Sequence, residues 1–67
     1  MLLEEILDAR DELVLMKVGG ERLNFQRLRS LCKEYNETSE EGRFDLSSND
    51  ALWVSVNNYL KDLLEKS

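Results

Sequence analysis

The side chains that could do chemistry in this 67-residue chain are one cysteine, Cys32, and fourteen carboxylates, and the chain has no histidine. A cysteine nucleophile works as a thiolate beside a base, so the lack of histidine removes the Cys–His pair, the Ser–His triad and any imidazole base. One cysteine without histidine does not supply the ligands of a structural zinc site, and it cannot form an internal disulfide. The composition therefore predicts neither a catalytic nucleophile nor a bound metal.

The segment Asp45-Leu-Ser-Ser-Asn-Asp50 places oxygen-bearing side chains at alternate positions, as a calcium-binding loop does. The pattern fails at its sixth position, Asp50, where the loop needs glycine, and at its twelfth, Val56, where it needs a bidentate glutamate. Gly19-Gly20 lacks the Lys-Ser/Thr that follows a phosphate-binding glycine loop. We predict no cofactor and no enzymatic activity, since so short a chain can hardly enclose a substrate pocket of several hundred Å³.

The spacing of apolar residues predicts an all-α fold of three helices, at about residues 2–18, 25–35 and 49–65, in a single helical domain over residues 1–67. Gly19-Gly20 marks the end of the first helix, and Asn24 is the expected N-cap of the second. In the loop that follows, Phe44 and Leu46 are expected to anchor the chain to the core.

Two points of this fold are open at the level of sequence. Ser47, with Asp50 three residues later, resembles a capping box at the start of the third helix, but Ser48 and Asn49 are alternative caps. Residues 13–25 could instead form a β-hairpin turned at the two glycines, which would make the fold α+β. The helical periodicity from residue 2 onward favours the helix.

The first helix carries two apolar stripes when its residues are placed at about 100° intervals. One stripe contains Leu2, Ile6, Ala9, Leu13 and Met16. The second contains Leu3, Leu7, Val14 and Val18, and Arg10 and Lys17 lie between the two. One stripe suffices to dock a helix on a small core, and the core of so short a chain is marginal on its own. The second stripe therefore predicts a homodimer formed mainly through the first helix. The interface candidates are Leu3, Leu7, Arg10, Val14, Lys17 and Trp53.

The net charge is −5, and the acidic residues are concentrated in two places. One side of the first helix carries Glu4, Glu5, Asp8, Asp11 and Glu12, and the loop after the second helix carries Glu40 and Glu41. These residues are candidates for contact with a basic partner protein, such as one that handles nucleic acid. The same pattern is also typical of a solvated helix surface, with acids favoured by the helix dipole near the N-terminus.

A basic face on the second helix supports an alternative function. Arg27, Arg29 and Lys33 could contact phosphates in a dimeric DNA-binding regulator with a helix-turn-helix built from the first two helices. A net-acidic chain is repelled by nucleic acid, so we expect no specific duplex binding. A purely structural oligomerisation unit is the third interpretation.

The N-terminal residues are acidic, unlike those of a signal or transit peptide, and no stretch approaches the roughly 20 apolar residues of a membrane span. We therefore expect a cytoplasmic protein with Cys32 as a free thiol and no membrane contact. Taken together, the sequence favours a small, non-enzymatic, acidic adaptor, inhibitor or regulator that binds another protein.

Overall fold

The structure is a computed structural model that describes residues 2–40 and 43–66. It contains three helices: α1 spans Leu2–Val18, α2 spans Gln26–Thr38 and α3 spans Asn49–Lys66. The all-α prediction is confirmed. The hairpin alternative is wrong, because residues 13–18 are the last turns of α1 and no strand occurs within residues 2–40 and 43–66. A two-stranded hairpin is marginal by itself, whereas the helix buries a complete apolar stripe.

Helix α1 ends at Val18, directly before Gly19-Gly20, as the glycine pair predicts. Gly20 has a φ of +73°, a conformation that glycine adopts without the steric penalty of a side chain. The backbone N–H of Glu21 donates to the carbonyl of Met16 at 2.9 Å, and that of Gly20 donates to the carbonyl of Lys17 at 3.2 Å. This pair of bonds is the Schellman motif, which turns the chain away from the helix axis.

Helix α2 begins one residue later and ends three residues later than predicted. Asn24 still acts at its start, because the Asn24 Oδ1 accepts a hydrogen bond from the backbone N–H of Gln26 at 2.9 Å. The N-cap position itself is held by Phe25, which makes no side-chain cap. At the other end, the hydroxyl of Thr38 donates to the carbonyl of Glu34 at 3.0 Å, which satisfies a backbone group of the last turn.

Helix α3 is capped by Ser48 and not by Ser47. The Ser48 Oγ accepts a hydrogen bond from the backbone N–H of Ala51 at 3.0 Å, which is the geometry of an N-cap. The backbone N–H of Ser47 donates to Asp45 Oδ1 at 2.9 Å, so Ser47 belongs to the turn before the helix. The capping-box interpretation of Ser47 and Asp50 is therefore wrong, and the cap is Ser48, one of the two alternatives.

The hydrophobic core lies between the three helices and under the loop that joins α2 to α3. The first stripe of α1 faces it, as predicted. The buried residues of the core are Ile6, Ala9 and Leu13 from α1, Leu28 and Cys32 from α2, Phe44 from the loop, and Leu52 and Val56 from α3. Leu46 packs against this cluster with partial burial, so both predicted loop anchors are confirmed.

The loop is fixed by two polar side chains of α2. The Asn36 Oδ1 accepts from the backbone N–H groups of Arg43 at 3.2 Å and Phe44 at 3.1 Å, and its Nδ2 donates to the carbonyl of Phe44 at 2.8 Å. Arg29 donates to the carbonyl of Leu46 at 2.6 Å. These bonds satisfy backbone groups that have no helix or strand partner.

We expect Ser48→Ala to lower the free energy of unfolding by about 1 kcal/mol, because it removes the N-cap acceptor of α3. Ser47→Ala is the matched control, and its effect should stay below about 0.5 kcal/mol because the Ser47 hydroxyl bonds to the exposed carboxylate of Asp45 and caps no helix N–H group. Urea unfolding followed by circular dichroism measures both. An equal or larger loss in Ser47→Ala would contradict the assignment of the cap.

Candidate protein-interaction surface

The residues that could do chemistry are placed in structural roles. Cys32 is completely buried, and that burial raises the pKa of its thiol to about 11, against the opposing influence of the Arg29 charge. Hydrogen bonds from the Ser47 side chain and backbone lower the pKa of Asp45. Its segment is the turn that leads into α3. Within residues 2–40 and 43–66, no cluster of three or more histidine, cysteine or acidic residues is arranged to hold a metal ion.

The second stripe of α1 is only partly covered by the rest of the molecule. Leu3, Leu7 and Val14 are half-buried, and Val18 is 82% exposed. Leu7 lies at a groove between α1 and the C-terminal half of α3. The groove encloses about 300 Å³ and is lined by Leu7, Arg10, Asp11, Leu60, Leu63 and Leu64. The stripe thus remains an apolar surface that the chain does not bury by itself.

Arg10 bridges the two helices at the middle of this surface. Its Nε donates to the Asn57 Oδ1 at 3.1 Å, and a terminal nitrogen donates to Asp11 Oδ1 at 2.9 Å. Asn57 in turn donates from Nδ2 to the carbonyl of Trp53 at 2.7 Å. The guanidinium that the sequence places between two apolar stripes is therefore held in a fixed position by its own chain.

Lys17 and Trp53, both predicted interface residues, are brought together at the other end of the same helix pair. They line a small cavity of about 140 Å³ with Leu13, Leu23, Phe25 and Asp50. The Trp53 ring is half-buried and meets the edge of Phe25, with ring centroids 6.3 Å apart. Four of the six predicted interface residues, Leu7, Arg10, Lys17 and Trp53, thus line pockets between α1 and α3, and Leu3 and Val14 belong to the same stripe of α1 as Leu7.

The sequence analysis missed several apolar residues that the structure leaves exposed. Leu64 is 77% exposed, Leu63 37% and Val54 55%. The pattern of α3 places Leu63 and Leu64 with the core-facing residues, but the last fully buried residue of that helix is Val56. The spacing of residues in α3 therefore did not indicate that Leu63 and Leu64 are exposed. Leu15 is 72% exposed, and its spacing places it in neither apolar stripe of α1.

The predicted acidic residues of α1 all face solvent. Asp11 pairs with Arg10, and Glu12 pairs with Arg27 of α2 at 2.8 Å, with both side chains more than half exposed. The side chains of Glu5 and Asp8 make no ion pair or hydrogen bond with any other part of the chain that the structure describes. Glu4 is also exposed. In the loop, Glu40 is exposed and Glu41 lies outside the described residues.

The three basic residues of the alternative DNA-contact set do not form a free basic stripe. Arg29 is half-buried and donates to the Leu46 carbonyl at 2.6 Å and to the Asn49 Oδ1 at 2.7 Å, so it joins α2 to the start of α3. Arg27 is paired with Glu12. Lys33 alone of the three is exposed without such a contact. A phosphate contact by Arg29 would require it to give up these two hydrogen bonds.

A scan against models of protein families gives no match, and neither the search of curated proteins nor the search of solved structures finds a similar one. No described helix is long and apolar enough to cross a membrane.

We expect Arg29→Gln to lower the free energy of unfolding by about 1–3 kcal/mol, since charged hydrogen bonds to the loop and to α3 are lost. Arg27→Gln removes only an exposed ion pair and should cost about 0–1 kcal/mol. The two substitutions are chemically identical and lie on the same helix, so urea unfolding of the pair isolates the effect of position. Similar losses in both would mean that Arg29 is a surface residue.

Proposed function

We propose that this protein is a small, non-enzymatic adaptor, inhibitor or regulator that acts in the cytoplasm by binding a basic surface of another protein. The acidic side of α1 is the proposed contact. The observation that carries this proposal is the distribution of engaged charges. The side chains of Arg10, Arg27 and Arg29 are bonded within the chain, whereas those of Glu5 and Asp8 are exposed and make no ion pair or hydrogen bond among the residues described.

The acidic side has dimensions that suit a protein partner. Its residues run from Glu4 to Glu12, which at a rise of about 1.5 Å per residue is a length of about 12 Å, or more than two turns. Charges on such a surface raise the rate of association with an oppositely charged partner more than they raise the final affinity. The chain as a whole, at −5, adds to that attraction and opposes the binding of nucleic acid.

We also propose that the protein forms a homodimer through the second stripe of α1. The exposure of Val18 and Leu64 favours this assembly, because apolar surface that a single copy leaves in water is buried when a second copy covers it. Glu5 and Asp8 lie off the second stripe, so these two acids do not take part in both contacts.

Reversal of the two unengaged acids tests the proposed partner surface. We expect Glu5→Lys with Asp8→Lys to lower the rate of association with the partner by about tenfold or more and to weaken its dependence on salt. Folding should change little, because exposed charges contribute about 0–1 kcal/mol each. Partners are identified by affinity capture from the source cells with quantitative mass spectrometry, and association rates are then measured at several salt concentrations.

The matched control is Glu34→Lys with Glu37→Lys, which makes the same change in net charge on exposed residues of α2. It should leave capture and association rate close to those of the wild type. Equal capture by the α1 variant, or an equal loss in the control, would show that the acidic side of α1 is only a solvated surface.

A further inference from the structure

The second stripe of α1 has a symmetric spacing. Leu3 and Val18 are equally distant along the chain from the point between Arg10 and Asp11, and so are Leu7 and Val14, which makes this point the midpoint of the stripe. At about 100° per residue these four residues occupy a sector of about 60°. A two-fold axis perpendicular to the helix, level with that midpoint and passing between two copies, would place their stripes face to face in opposite directions.

We propose that a second copy of this chain docks antiparallel on the second stripe, with Leu7 of each copy opposite Val14 of the other and Leu3 opposite Val18. The proposal rests on the self-association proposed above and specifies its geometry. It does not depend on the proposed basic partner.

The charges of α1 favour the antiparallel over the parallel arrangement. The acids occupy the N-terminal two thirds of the helix, from Glu4 to Glu12, and Lys17 stands in its last turn. In an antiparallel pair, the end with Lys17 lies beside the acidic end of the second copy, and the helix dipoles point in opposite directions, so both interactions are attractive. In a parallel pair, the two acidic ends would lie side by side and the dipoles would point the same way, so both interactions would be repulsive.

The polar centre of the stripe is compatible with burial at the axis. Arg10 and Asp11 form an ion pair at 2.9 Å, with side chains 34% and 66% exposed. The two-fold axis brings two such ion pairs side by side, so the centre of the contact carries no net charge. Arg10 is also held by Asn57, which fixes the guanidinium before the second copy arrives.

Helix α3 extends the contact along the same face. Leu64 lines the groove beside Leu7 and is 77% exposed, so a chain laid along the second stripe also covers this leucine. Glu5 and Asp8 lie about 110° or more around the helix from the centre of the stripe and therefore face away from the axis. The dimer would carry two copies of this pair of acids on its outer surfaces.

Cysteine cross-linking tests the register. When two helices pack with their axes about 8–10 Å apart, facing residues come within the Cα separation of about 4.4–6.8 Å that a disulfide spans. Leu7→Cys and Val14→Cys are prepared separately, mixed at equal concentration and oxidised. We expect at least fivefold more cross-linked dimer in the mixture than in either variant alone. Cys32 stays in place because its side chain is fully buried in the core.

Analytical ultracentrifugation tests the surface itself. The wild type is expected to sediment as a dimer at tens of micromolar, and Val18→Gln is expected to raise the dimer dissociation constant at least tenfold. Val18 is 82% exposed, so this variant retains its fold, which circular dichroism verifies. Leu15→Gln is the control, because Leu15 is 72% exposed on α1 but lies off the stripe, and it should dimerise like the wild type.

Three results would overturn the proposal. A wild type that remains monomeric up to millimolar concentration removes the dimer and leaves the acidic contact with another protein untouched. A dimer in which Leu7→Cys alone cross-links as well as the mixture is parallel. A dimer that Val18→Gln does not weaken uses another surface.

Discussion

The amount of apolar surface that three short helices can bury together governs the rest of this structure. The residues buried among those described come from all three helices and from one loop position, Phe44, and they face a single stripe of α1. A chain of this size buries a smaller fraction of its surface than a larger domain does. The second stripe of α1 and the last two turns of α3 are consequently left at the surface, and the proposed interactions follow from that remainder.

Two polar side chains of α2 hold the loop between α2 and α3 against the core. Asn36 and Arg29 supply hydrogen bonds to the backbone of residues 43–46, where no helix or strand provides them. Phe44 reaches the core only because this backbone is held, and its ring then meets Tyr35 and Tyr59 at centroid distances of 5.2 Å and 5.5 Å. Through these bonds, Asn36 and Arg29 of α2 fix the segment that leads into α3.

The helices and the core stripe of α1 could be predicted because they depend on local periodicity and on glycine. The exact cap of α3 could not, since Ser47, Ser48 and Asn49 are all competent caps and only the path of the preceding turn at Asp45 selects among them. The longer α2 was missed because Asn36 and Thr38 are typical of loops until their side chains find partners in the folded chain. The exposure of Leu63 and Leu64 depends on how far α3 extends beyond the helices that it packs against, and the spacing of apolar residues does not give that length.

Cys32 has a consequence of a different kind. Its sulfur lies at 0% exposure among side chains of the core, so a reagent in solution reaches it only when the helices separate. The rate of thiol labelling under native conditions is then the intrinsic rate of an exposed thiol reduced by the opening equilibrium of the fold. The chain thus carries a single internal reporter of its own opening, readable without denaturant, and sensitive to anything that binds the closed form.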